Sequence, residues 1–112
     1  MSLLWRTAIE AEPSHISHAD LAGMYSGDWD VSIPRTMREM QQNWDDGNCD
    51  HEGELAHGGP RPYVEHLKED IATNGIREPL TIRGGNVVKD GNHRAIALYE
   101  MKHPRIPVRH VR

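Results

Sequence analysis

Apolar residues fall at helical spacing in three stretches of the chain and at strand spacing in three others. Met37, Met40 and Trp44 recur at steps of three and four, which predicts an amphipathic helix over 34–45, with Ser32 as N-cap and Pro34 in its first turn. Val64, Leu67 and Ile71 mark the inner face of a second helix, opened by Pro62 and closed at Asn74-Gly75 by a left-handed C-cap. Ala95, Ile96, Leu98, Tyr99 and Met101 make a third, over 93–102, which Pro104 prevents from continuing. A shorter helix starts at Ser17-His18-Ala19-Asp20, where Ser17 caps and Asp20 reaches back. Leu21, Met24 and Tyr25 would share one face of it, and Gly27 would end it.

Strand signals lie between the helices. Leu80-Thr81-Ile82 alternates, Gly84-Gly85-Asn86 reads as a hairpin turn, and Val87-Val88 begins the return. Ile106 to Val111 reads as a last strand at a sheet edge, because Pro107 cannot donate to a ladder. Arg6 to Ile16, broken by Pro13, reads as an extended arm or weak strand. Asp45 to Pro62 is rich in Gly, Pro and acid and reads as a loop. No repeat is visible, and the sum is a small α+β domain.

Length and composition narrow the class. At 112 residues two independent cores are excluded. Residues 1–62, with an acidic loop over 46–62, therefore pack with 63–112 as one domain. A single Cys rules out an internal disulfide framework and a Cys-rich zinc finger. No apolar run reaches the roughly 20 residues of a membrane span, and the first residues lack the layout of a secretory signal. The expectation is a cytoplasmic protein with no membrane contact.

The net charge of −4 conceals a division. Residues 1–75 hold 5 Lys or Arg against 14 Asp or Glu, whereas residues 76–112 hold 8 against 3. Either the C-terminal third faces an anion, or the two parts neutralise each other within one fold.

The candidate chemistry lies in Val87-Val88-Lys89-Asp90-Gly91-Asn92-His93-Arg94-Ala95, a glycine turn between a strand and a helix. The first N–H groups of a helix lack internal acceptors, and the helix dipole leaves partial positive charge there. Gly91 allows close approach of a ligand, and His93 and Arg94 add donors. A cation in the first turn opposes the dipole, so Arg94 and a protonated His93 are misplaced unless an anion is near. The competing reading is a plain tight turn, with Asn92 as cap and His93 in solvent.

From Tyr63 to Val111 the order of motifs resembles the ParB/sulfiredoxin-like domain. The matching pieces are a helix ending in Asn-Gly-Ile (74–76), Glu-Pro-Leu-Thr-Ile (78–82), the run 87–95, and Ile-Pro-Val (106–108). The resemblance implies a small mixed β-sheet with flanking helices and a turn that holds the phosphates of a nucleotide, ATP or CTP. It places Gly91 and Asn92 as backbone donors and His93 and Arg94 on phosphate oxygens, the Arg fork giving two bonds to one phosphate. Asp90 would hold Mg²⁺ with the phosphates or orient His93; a turn-forming Asp is the alternative. With Asp90, His93 and Arg94 as catalytic residues, the implied activities are those of stand-alone relatives: nuclease, nucleoside triphosphate hydrolase, or kinase of a small molecule.

Sulfiredoxins carry their catalytic Cys where this chain has Asn92, so sulfinic-acid reduction is not expected. The partitioning members continue into a helix-turn-helix, and the sequence ends at Arg112, so DNA reading by that route is not expected either. Isolated domains of this kind resemble proteins of phages and mobile elements.

Other residues were weighed against these. Asp46, Asn48 and Asp50 imitate the start of a calcium loop, but His51 and His57 stand where Gly and Glu are required. Cys49, His51 and His57 have no standard zinc spacing. The Met37, Met40 and Trp44 stripe reads as core. Glu65, Glu69 and Asp70 read as the solvated side of their helix, one of them a candidate general base. Two further functions stay open: a non-catalytic module whose acidic surface binds a host protein, and weak non-specific DNA binding through the basic end.

Overall fold

A computed structural model describes residues 14–47 and 59–111. Residues 1–13 and the loop residues 48–58, with Cys49, Asp50, His51 and His57, lie outside the described residues. Along the chain come β1 (Ser14–Ile16), α1 (His18–Ala22), β2 (Tyr25–Ser26), α2 (Ile33–Asp45), α3 (Pro60–Asn74), β3 (Leu80–Arg83), β4 (Val87–Asp90), α4 (Asn92–Glu100) and β5 (Ile106–Val111). The five strands form one mixed sheet in the order β1-β5-β3-β4-β2, so the fold is α+β. The β1–β5 and β3–β4 pairs are antiparallel, and the β3–β5 and β2–β4 pairs are parallel.

Alternation sets the two faces of the sheet. Leu80, Ile82, Val88, Ile106 and Val108 are buried, whereas Arg83, Lys89 and Arg109 are exposed. The buried face lies against helices, with α4 packed on β3, β4 and each of the other three helices. Ala95, Ile96, Ala97 and Leu98 of α4 are fully buried, which accounts for its nearly all-apolar run. Both β1 and β2 precede residue 63, so residues 63–111 supply only three of the five strands.

Several elements form for the reasons read in the sequence. Ser17 Oγ accepts from Asp20 N–H at 3.0 Å, and Asp20 Oδ2 accepts from Ser17 N–H at 3.0 Å, a complete capping box. Ser32 Oγ accepts from Arg35 N–H and starts α2. Val64 and Ile71 are buried, and Gly75 closes α3 at φ +77°, its N–H donating to Ile71 O.

Others differ. The first helix stops at Ala22, and Tyr25, 49 % exposed, belongs to β2 rather than to an apolar helix face. The buried face of α2 is Ile33, Thr36 and Met40, while Met37 is half-buried and Trp44 exposed. Thr36 tolerates burial because its hydroxyl donates to Ser32 O at 2.8 Å. The third helix opens at Pro60, two residues before Pro62, in the stretch expected to be loop. Pro60 suits a first helical position because its missing N–H would have no internal acceptor there.

The largest correction concerns β5, which lies inside the sheet and not at its edge. Pro107 is tolerated because β3 pairs with β5 only from Val108 onward. At Pro107 the strand is flanked by β1 alone, opposite His15, so the missing donor breaks no bond to β3.

Candidate functional site

The Asp90–Arg94 turn sits where the central hairpin strand β4 meets the start of α4. Ile82 pairs with Val88 and Thr81 with Asp90, so Lys89 is an extra residue on β4 and the strand is bulged. Without the bulge, Asp90 would fall opposite Leu80, whose side chain is in the core. The bulge instead puts Asp90 on the outer face, in register with Thr81. Its Oδ1 accepts from Gly91 N–H at 2.9 Å.

Gly91 is left-handed, at φ +85° and ψ +31°, and caps α4 with no side-chain bond. A Cβ here would stand 3.1 Å from both Arg94 Nη1 and Leu80 Cδ2. The backbone angle favours glycine, and a Cβ would also make the Arg94 guanidinium and the Leu80 methyl give by a few tenths of an ångström. Asn92 is the first helical residue rather than the cap, and its side chain is buried. Ser26 Oγ donates to Asn92 Oδ1 at 2.6 Å and accepts from Trp29 N–H at 3.2 Å. Ser26 is itself buried, so β2 and the loop after it are fastened to the turn. Gly27 allows that approach: its N–H donates to Val88 O, and a Cβ would lie 2.7 Å from that oxygen.

His93 is half-buried, with Nε2 shielded from solvent and its ring tilted against Tyr63 at a centroid distance of 5.3 Å. It is therefore not the solvent-facing His of a plain turn. Arg94 meets Glu78 at 3.6 Å, the Glu78 side chain being 76 % exposed and that of Arg94 27 %. Contact at that distance with a well-solvated carboxylate is weak. The first α4 amide with a backbone partner toward the turn is Ala95, which donates to Gly91 O, so the N–H groups of Asn92, His93 and Arg94 precede the internal ladder.

These groups border two polar clefts. One, of about 190 Å³, is lined by Asp28, Tyr63, Leu67 and the turn from Asp90 to Arg94. The other, of about 330 Å³, is lined by Glu78, Pro79, Thr81, Asp90, Arg94 and Arg109. Thus Asp90, Gly91, Asn92, His93 and Arg94 are brought together, with two qualifications. The Gly91 N–H, expected to face a ligand, is held by Asp90, and the Asn92 side chain is turned inward onto Ser26.

Sequence reasoning missed Ser26, Asp28, Tyr63 and Arg109. None stands in a motif, and tertiary pairing alone brings them to the turn. The acids weighed on α3 are elsewhere. Glu65 and Glu69 line a groove between α2 and α3 with Trp44 and His66, and Asp70 pairs with Arg77. The carboxylates at the clefts are Asp28, Asp90 and Glu78. Among the described residues no three His, Cys, Asp or Glu side chains cluster as metal ligands. Asp28 and Asp90 line one cleft, fewer carboxylates than a closed protein cation site requires.

A charge network holds α3, which carries Tyr63 and Leu67, against α4. Arg61 donates to both oxygens of Glu100, at 2.9 and 3.0 Å, and Lys68 reaches Glu100 at 2.6 Å and Glu65 at 2.7 Å. Burial by itself would raise the Glu100 carboxyl, but bonds from Arg61 and Lys68 outweigh it and hold the group below its ordinary range. Burial likewise would lower Lys68, yet Glu100 and then Glu65 raise it.

Comparison with protein families, with curated proteins and with solved structures gives no match for this chain. Among the described residues no helix is long and apolar enough to cross a membrane.

Proposed function

We propose that this chain is a ParB/sulfiredoxin-like nucleotide-binding domain that holds the phosphates of ATP or CTP at the Gly91–Arg94 turn. The reaction class is transfer or hydrolysis at phosphorus: nucleoside triphosphate hydrolysis, phosphorylation of a small molecule, or phosphodiester cleavage. One observation carries the reading. Arg94 lies at the positive end of α4, against Gly91, and its only ion pair among the described residues is a long contact to the exposed Glu78. That placement opposes the helix dipole and is compensated when an anion arrives.

In this reading the N–H groups of Asn92, His93 and Arg94 donate to phosphate oxygens, and the Arg94 fork adds charge-assisted bonds. These donors are held by the backbone before ligand arrives, so charge growing on the phosphoryl oxygens meets fixed dipoles. Ser26 keeps the turn in place through Asn92, and Tyr63 sets the His93 ring. Asp90 and Asp28 would hold Mg²⁺, which supplies neutralisation of phosphate charge when bound.

Titration calorimetry with ATP, CTP and ADP in the presence of Mg²⁺ tests the proposal. Binding is expected, weakened by about 1–3 kcal/mol in Arg94→Ala, the scale of a lost charged hydrogen bond. Absence of heat with all three nucleotides would remove it.

A further inference from the structure

We infer that the outer face of the sheet binds single-stranded nucleic acid, with one base on the Tyr25 ring and another on the Arg83 guanidinium. The inference stands apart from the phosphate reading of the turn and uses none of the residues placed there.

Strand register builds the surface. Tyr25 of β2 pairs with Val87 of β4, Val87 with Arg83 of β3, and Arg83 with Val111 of β5. Paired residues point to the same side of a sheet, so these four make one row across four strands. Their chain neighbours Ser26, Val88 and Ile82 are buried, which puts the row on the opposite, outer face. All four helices lie on the buried side, since α4 packs on β3 and β4 and the other three pack on α4. Tyr25 is 49 % exposed, Arg83 is exposed, and the two valines that flank Arg83 are half-buried.

Neither polar member of the row is committed within the fold. Among the described residues the Tyr25 side chain has no hydrogen bond or ring contact, and Arg83 has no ion pair. The row therefore offers an aromatic ring and a guanidinium plane beside aliphatic surface.

Charge selects the partner. The exposed charged side chains of β3, β4 and β5 are Arg83, Lys89, Arg109 and Asp90, three cations against one carboxylate, in a chain of net charge −4. That carboxylate already accepts from Gly91 N–H. A second copy of the chain would set these cations against each other across a two-fold axis. A polyanion with planar apolar groups is the complementary partner. A duplex shows this face its phosphates only, because its bases are stacked on one another, whereas the bases of a single strand are open to Tyr and Arg. Tyr25 and Arg83 are two strand spacings apart, about 10 Å, so they take different bases of one strand.

The test is fluorescence anisotropy of a labelled oligothymidylate of about 12 nucleotides, a length within the range of known single-strand sites, titrated with the folded protein. Wild type is expected to bind it more tightly than a duplex of equal length. Tyr25→Ala is expected to lose at least about fivefold in affinity, and Tyr25→Phe, which keeps the ring, to stay within about twofold of wild type. Arg83→Ala is expected to bind more weakly and to lower the slope of log affinity against log salt by about 0.7, the share of one phosphate contact in a single strand. Both positions are exposed, and unchanged circular dichroism spectra and Tm confirm that the variants are folded. No binding at about 50 mM salt, where phosphate contacts are strong, would overturn the inference whether or not ATP binds at the turn. Wild-type affinity in Tyr25→Ala, or a duplex bound as tightly as the single strand, would overturn it as well. A dimer in sedimentation that Tyr25→Ala dissociates would give the face to a second copy of the chain instead.

Discussion

At Gly91 the backbone angle favours glycine, and the Arg94 guanidinium lies against the residue. The residue sits at φ +85°, where an L side chain costs about 1–2 kcal/mol, and any Cβ presses on Arg94 and Leu80. Gly91→Ala should therefore unfold earlier by that amount in urea titration and should also bind phosphate more weakly, because the guanidinium must move. A Gly91→Ala protein with wild-type stability and affinity would show that neither constraint operates. Glu78 acts in the opposite direction. It is the only carboxylate among the described residues paired with Arg94, and it competes with an anionic ligand. Glu78→Gln should tighten nucleotide binding by up to about fivefold, the range of an exposed ion pair, with stability nearly unchanged. Weaker binding in that variant would assign Glu78 to the ligand instead.

Between elements, the α3–α4 contact is where electrostatics and packing combine. Glu100 is held below its ordinary value of 4.5, so its contribution to stability is present at neutral pH and is lost as pH falls through the folded-state value. Lys68 is raised above 10.5, so its contribution is present below that pH and lost as pH rises past the folded-state value. Glu100→Gln should cost about 1–2 kcal/mol at pH 7, less than a fully buried pair because Lys68 and Glu65 reach solvent. Its deficit against wild type should begin to shrink below the ordinary value of 4.5 and should close only at a lower pH, once the carboxyl is neutral in the fold as well. Denaturant titrations at pH 7 and pH 3.5 measure both, and a deficit that does not change with pH would mean that shape, not charge, is what Gln loses. Element starts were legible where one local device suffices, as in the Ser17–Asp20 box and the Ser32 cap. They were misread where tertiary pairing decides: Pro60 rather than Pro62 opens α3, Tyr25 turns outward into β2, and Pro107 lies in an interior strand because its neighbour begins one residue later.

Across the whole molecule, the turn is built by segments far apart in sequence. Ser26 and Asn92 are 66 residues apart, and their 2.6 Å bond fixes the acidic N-terminal part to the basic C-terminal third. Ser26→Ala leaves the buried Asn92 oxygen without its donor and should lower stability by about 1–3 kcal/mol. A thermal melt unchanged from wild type would mean that water replaces the hydroxyl. This coupling explains which parts of the site were visible beforehand. Gly91, His93 and Arg94 could be named because strand, glycine and helix are consecutive. Asp28, Tyr63 and Arg109 could not, because only the β2–β4 pairing, the α3–α4 contact and the β3–β5 register bring them there. The bulge at Lys89 is likewise silent in sequence, since it exists only as a mismatch between two strands.

In the proposed function the Asn92–Arg94 amides and the Arg94 guanidinium receive phosphate oxygens. The most direct measurement is a two-dimensional ¹H–¹⁵N spectrum of the protein titrated with ATP and Mg²⁺. The largest amide shifts are expected on Gly91 to Ala95, together with a shift of the Arg94 Nε–H. Shifts that are absent at saturating nucleotide, or confined to the groove between α2 and α3 around Trp44 and Glu65, would contradict it.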